Sequence, residues 1–268
     1  HVHDTIQQVP TSRWDILVDD AGAIDPAVER RCRNAAFMLD LDFIDHQIFS
    51  LSVAEAMTMD PQQRLLLENG YAVIHDVGVG RQELLGSRMA VYVGITSTEW
   101  GGVPKPASVY GIGGVGHCFA VGRISYVLGL QGPSVATDTA CSSSLVACHG
   151  LMRVLQRGEC LISLLAGVHA MLVPSVSMVY AMGGLSSEQG RSQTFDRRAD
   201  GFGRGEACGS ASLGVDPSRE DVQIAGVALR QDGKSASLTA PNGQAQAGLL
   251  VDANLESDSQ HIRALEAH

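Results

Sequence analysis

The chain has 268 residues, 45% of them apolar, with 30 glycines and a net charge of -10 at neutral pH. That length and composition suit one large, many-turned α/β domain, and the acidic balance argues against nucleic acid as a partner, since phosphate binding needs clustered lysines and arginines. The 6 cysteines form no Cys-x-x-Cys pair and no repeated spacing, so neither a zinc site nor a disulfide framework is indicated, and a reducing, cytoplasmic setting is expected.

The opening His1-Val2-His3-Asp4 has no basic stretch leading into an apolar core, so no signal peptide is read there. The longest apolar tract, Leu161 to Val173, is interrupted by His169 and falls short of the roughly 20 residues that a membrane span needs.

The first clear element is a helix. Asp60 predicts its N-cap, Pro61 its first position and Gln63 a capping box, with Leu65, Leu66, Leu67, Ala72, Val73 and Ile74 supplying an apolar face up to Gly78. Met89 to Ile95 reads as a buried strand, followed by a Gly- and Pro-rich loop from Thr96 to Gly116 and a short helix from Ala120 to Leu128. Gly132-Pro133 marks a turn, Ser134 to Ala140 a short buried strand, and Ser142 to Gln156 a helix that Gly158 ends. Further on, the pattern predicts strands over 161–167 and 209–215, a helix over 173–182, a strand beginning over 222–229, and a helix over 244–255. Alternation of this kind implies parallel strands with helices on both faces.

Cys141 falls at the junction between the Ser134 strand and the Ser142 helix. Helix-start N–H groups are unpaired and carry the positive end of the helix dipole, so they favour a thiolate. Ser142, Ser143 and Ser144 suit the same place, their hydroxyls capping free amides. Taken alone, the junction leaves a nucleophile and a packed thiol equally open. Cys32, Cys118, Cys148, Cys160 and Cys208 read as packing.

His46, His75, His117, His149, His169 and His261 show no ligand spacing, so core or surface roles are expected, with His117 beside the Gly-rich loop. The run from Gly111 to Gly116 is not a nucleotide loop, because such a loop opens a helix directly after a strand. Arg191, Arg197, Arg198 and Arg204 lie close together in sequence and would make a local basic patch, although a solvated loop is the simpler reading.

Four long segments occur in a familiar order. They are Asp60-Pro61-Gln62-Gln63-Arg64-Leu65-Leu66-Leu67-Glu68, the stretch from Gly122 to Ser134, Asp138-Thr139-Ala140-Cys141-Ser142-Ser143-Ser144-Leu145, and Ala199-Asp200-Gly201-Phe202-Gly203-Arg204-Gly205-Glu206. From about Val9 to its last residue, the chain resembles the β-ketoacyl synthase (ketosynthase) domains of type I polyketide synthases. The resemblance implies an α/β, thiolase-like fold of layers αβαβα and a decarboxylating Claisen condensation on carrier-protein thioesters. It makes Cys141 the nucleophile that takes the acyl group, with its N–H as one oxyanion donor. His268, in Glu266-Ala267-His268, matches the start of the family's Glu-Ala-His-Gly-Thr-Gly motif and would be one of two imidazoles that stabilise the enolate.

No bound metal or organic cofactor is implied; substrates would ride on the phosphopantetheine of an acyl carrier protein, and the protein would be a homodimer. On the family's layout the chain looks like a fragment, with residues 1–215 as the N-terminal half lacking its first strand and 216–268 as the truncated start of the C-terminal half. It departs from the pattern at Gly70 to His75, where Trp and Glu are usual, and at His169, where Asn is common. A thiolase-type coenzyme A condensing enzyme and a non-catalytic ketosynthase-like dimer partner or carrier-docking module, with Cys141 inert, remain as alternatives, and polyketide and fatty acid pathways are both open.

Overall fold

The computed structural model describes residues 4–14, 24–215 and 222–257. Two short strands, β1 (Ile6–Gln8) and β2 (Asn34–Ala36), pair antiparallel, and α1 (Pro26–Cys32) lies between them in sequence, opened by Asp25, whose side chain accepts from the Ala27 N–H. Then come α2 (Val53–Thr58), α3 (Pro61–Asp76), α4 (Arg81–Leu84), β3 (Ala90–Ile95), a 3-10 turn (Glu99–Gly102), α5 (His117–Leu128) and β4 (Ser134–Thr137). The remaining elements are α6 (Ser143–Gln156), β5 (Ile162–His169), α7 (Pro174–Met182), β6 (Ala207–Gly214) and α8 (Gly243–Glu256).

The α3 start follows from its sequence. Asp60 Oδ1 accepts from the Gln62 N–H at 2.8 Å, and Pro61 occupies the first turn, where a missing N–H costs nothing. The expected capping box is not made: the Asp60 side chain caps Gln62 and not Gln63, and the Asp60 N–H donates to Gly114 O at 2.9 Å. Gln63 reaches away, its amide donating to Gly113 O at 3.2 Å and its carbonyl accepting from Arg123 Nε at 2.7 Å.

The main sheet has four strands in the order β4-β3-β5-β6. Because successive side chains alternate faces, β3 sends Val91, Val93 and Ile95 one way, and β5 sends Leu164, Ala166 and Val168 with them. These pack against Leu66, Leu67 and Ile74 of α3 and Ala120, Val121, Ile124 and Leu128 of α5. Each fully buried Leu or Ile contributes about 1.5–3 kcal/mol over leaving it exposed, so this cluster is the main core. On the opposite face Ala90, Tyr92 and Leu165 meet Leu151, Val154 and Leu155 of α6. A helical layer therefore covers each face of the sheet, which makes three layers among the described residues. A separate small cluster joins Trp14, Ala35 and Met171, with the Phe37 ring edge-on to Trp14 at 5.8 Å.

Two expectations fail here. β3 runs parallel to β4 and β5, but β6 runs antiparallel to β5. The cause is local: the Glu206 carboxylate, one residue before β6, accepts from the Met171 N–H, two residues beyond β5, so the chain re-enters the sheet at the end it left. Residues 222–229, read from the sequence as a strand, carry no regular structure. They pair with no strand among the described residues, and Val222 is left 91% exposed.

Candidate active site

β4 ends at Thr137, and the chain turns through Asp138 to Ser142 before α6 begins. The strand is shorter than the sequence suggested and is not buried, since it forms the open edge of the sheet and Val135 is 37% exposed. Turning so sharply puts Ala140 in the left-handed region, φ 57°, a conformation that costs a residue with a Cβ about 1–2 kcal/mol.

Side chains around the turn hold that conformation. Asp138 Oδ1 accepts from the Ala140 N–H at 3.2 Å, and Ser143 Oγ accepts from the Thr139 N–H at 2.9 Å while donating to Ala140 O at 2.7 Å. Ser142 Oγ donates to Thr139 O at 2.9 Å. These hydroxyls staple the turn and do not cap the helix, contrary to the sequence reading; no side chain caps the first turn of α6.

Cys141 is exposed. It lines an open cleft of about 1140 Å³ together with Gly94, Glu99, Asp138, His169, Tyr180 and Arg204. Of the other cysteines, Cys32, Cys148 and Cys160 are buried as expected and Cys208 is half-buried, whereas Cys118 is exposed in the first turn of α5 and is not a packing residue. Burial pushes the Cys32 thiol up to about 11 and the Cys208 thiol up to about 12, and it raises Cys148 and Cys160 as well.

The cleft also carries a polar cluster that the sequence did not reveal. Arg204, expected in an exposed basic patch, is 9% exposed. Its guanidinium donates to Ser177 Oγ and to His169 Nε2, lies 4.9 Å from the centroid of the Tyr180 ring and stands 3.9 Å from Glu99 Oε1. The other Glu99 oxygen accepts from the N–H groups of Leu172 and Val173 at 2.7 and 3.0 Å. Tyr180 meets Phe202 edge-on at 5.9 Å. Burial first, and then the Arg204 charge, lower the His169 imidazole to about 4. Its Nδ1 is buried with no hydrogen-bond partner among the described residues.

Sequence offered one signal for this cluster, the Arg204-Gly205-Glu206 run, but burial and partners come from distant segments. The rest of the expected patch is ordinary surface: Arg191 pairs with Asp4 and Arg198 with Asp196.

The remaining histidines split between satisfied and uninvolved. His46 Nδ1 is 2.7 Å from Leu51 O, and His149 accepts from Arg153 at 3.3 Å. His117 opens α5 away from the cleft lining, its Nε2 buried without a partner among the described residues. His261 and His268 lie outside the described residues. Among those described, no group of three or more His, Cys, Asp or Glu is placed to hold a metal ion, and no helix is long and apolar enough to cross a membrane.

Comparison with known proteins agrees with this geometry. The family model described as "Beta-ketoacyl synthase, N-terminal domain" matches residues 2–214. A phenolphthiocerol/phthiocerol polyketide synthase of Mycobacterium tuberculosis is 38% identical over 93% of this chain and 14% of its own length. The 6-methylsalicylic acid synthase of Aspergillus niger is 35% identical over 97% of this chain and 16% of its own. The chain thus spans about a seventh of the length of such relatives. The ketosynthase from module 6 of the bacillaene synthase of Bacillus subtilis superposes with a TM-score of 0.78 at 34% identity, covering 94% of this chain and 43% of that one. The α/β fold is the thiolase-like fold of these ketosynthases, and the chain belongs to the β-ketoacyl synthase family.

Proposed function

We propose that this chain is the nucleophile-bearing part of a ketosynthase that builds polyketides, with Cys141 as the nucleophile. The observation that carries the reading is the exposed thiol at the uncapped N-terminal end of α6, lining a cleft roomy enough for an acyl thioester. The Cys141 thiolate attacks the thioester carbonyl, the carbon–sulfur bond to the enzyme forms, and the carrier's pantetheine thiol leaves with a proton. The N–H of Cys141 donates to the oxyanion. A malonyl-type thioester then loses carbon dioxide, and the enolate attacks the acyl-cysteine carbonyl, forming the new carbon–carbon bond and releasing the thiolate. His268 donates to that enolate oxygen.

The span of the family match, residues 2–214, supports taking 1–215 as the N-terminal ketosynthase half and 216–268 as the start of the C-terminal half. Substrates reach the site on the phosphopantetheine of an acyl carrier protein, and the protein works as a cytoplasmic homodimer. The polyketide synthases among its relatives favour that pathway over fatty acid synthesis. Incubating the full-length protein with an acyl thioester and mapping the adduct by peptide mass spectrometry tests the reading. Acylation at Cys141 supports it; acylation elsewhere, or none, overturns it.

A further inference from the structure

Gly94 of β3 and Gly167 of β5 are register partners on neighbouring parallel strands. Both line the Cys141 cleft, and the first turn of α6 lies across the pair. A Cβ on Gly94 would stand 2.6 Å from Ser144 Cα and 2.7 Å from the Ser143 carbonyl carbon; one on Gly167 would stand 3.0 Å from Ser144 Cβ and 3.7 Å from its Oγ. Glycine inside a strand marks a place where another backbone comes close, and here that backbone begins two residues after Cys141.

Two turns along the helix the contact is reversed, since a Cβ on Gly150 would lie 2.9 Å from the Tyr92 ring. The helix is thus seated on the sheet at two points along its length, with Ala147 between them fully buried. No side-chain hydrogen bond of Ser144 contributes among the described residues, so the seat at its first turn is steric.

We propose that Gly94 and Gly167 are positioning residues for Cys141. Their missing side chains let the first turn of α6 sit on the sheet, and that height fixes where the thiol stands in the cleft. This rests on reading Cys141 as the nucleophile. A side chain at Gly94 meets helix backbone and lifts the turn, while one at Gly167 moves it where Ser144 does not give by the few tenths of an ångström that the contact demands; displacement of a reacting atom by about 1 Å is enough to cost roughly 100-fold in rate.

The two glycines differ in what they meet, and that difference supplies the test. The Gly167 contact is with the Ser144 side chain, whereas the Gly94 contact is with backbone. Removing the Ser144 Cβ therefore makes room for Gly167→Ala but not for Gly94→Ala. In the full-length protein, iodoacetamide labelling of Cys141 is followed relative to Cys118, which is exposed on a different helix and acts as an internal reference. Gly167→Ala is expected to slow Cys141 labelling at least about tenfold, and adding Ser144→Gly to return it to within about threefold of the parent. Gly94→Ala with Ser144→Gly should stay slow.

The proposal is overturned if Gly167→Ala labels at the parental rate, if Ser144→Gly fails to restore it, or if Ser144→Gly restores both variants alike. Should Gly167→Ala not fold, recovery of folding and labelling in the double variant supports the seat, and an unfolded double variant overturns it. Acyl loading of the parent is measured alongside. A parent that labels in this pattern yet takes no acyl group at Cys141 sinks the ketosynthase reading and leaves the seat standing.

Discussion

Nε2 of His169 stands 3.4 Å from the guanidinium of Arg204, and because a guanidinium only donates, the imidazole proton is fixed on Nδ1. Protonating this ring would put a second positive charge against Arg204 in a buried site.

The pH dependence of stability follows from that pair. With the His169 pKa lowered from 6.5 to about 4, the unfolded chain binds a proton between those values that the folded chain does not. Stability therefore rises with pH through that window, being complete above about 6.5 and lost as pH falls towards 4. His169→Asn, which cannot titrate, is expected to flatten this part of the profile by at most about 3 kcal/mol. Urea melts at pH 4, 5, 6 and 7 measure it, and a profile unchanged by the substitution would show that other groups set the slope.

Arg204→Met should be among the most destabilising substitutions in the cleft. It leaves the Glu99 carboxylate, whose side chain is 2% exposed, without its counter-charge, and removal of one partner from a buried pair costs about 3–5 kcal/mol. Adding Glu99→Gln is expected to recover about 1 kcal/mol or more. Denaturant unfolding of both singles and the double closes the cycle, and strict additivity would mean that the two groups do not interact.

Ala140, at φ 57°, gives a test of backbone strain. Ala140→Gly is expected to leave stability unchanged or raise it by up to about 1 kcal/mol, relief of the left-handed penalty being partly offset by glycine's greater freedom when unfolded. Ala140→Val should cost more than about 1 kcal/mol, because a β-branched side chain tolerates positive φ poorly. Thermal melts rank the three, and a valine variant as stable as the parent would deny the strain.

The two half-reactions should separate in the full-length protein. Cys141→Ala is expected to abolish acyl loading and condensation while malonyl-thioester decarboxylation persists. His268→Ala should cut decarboxylation by about 100-fold or more while leaving acyl loading intact. Released carbon dioxide and adduct mass read the two steps independently, and a His268→Ala protein that decarboxylates at the parental rate would remove His268 from the chemistry.

The Cys141 turn was legible because everything that makes it is local: a β-branched strand, a left-handed turn and an amphipathic helix follow one another within 134–156. The α3 start was legible for the same reason, through Asp60 and Pro61. The short elements β1, α1, β2 and α2 were not, because three to seven residues carry too little periodicity to stand out. The direction of β6 is set by Glu206 gripping Met171, a contact that no strand pattern encodes. Arg204 was misjudged as exposed, and the core-or-surface reading of His169 did not name its partner. A lone histidine and a basic run gave no sign that the fold would bury them side by side, and only their partners from Glu99, Ser177 and Tyr180 give them a role.

The grip of Glu206 also bears on how the chain is made. Its carboxylate holds Arg13 and the Met38 N–H across 193 and 168 residues of sequence. A ribosome adding about 5–20 residues per second would emit Met38 roughly 8–34 seconds before Glu206. For that interval β1 and β2 have each other but not the segment that fastens them, and for most of it the Trp14 and Phe37 rings wait without Met171. Slow synthesis through residues 40–206 would therefore lengthen the exposure of the N-terminal segment to chaperones and to aggregation, even though that segment lies far from the Cys141 turn in sequence.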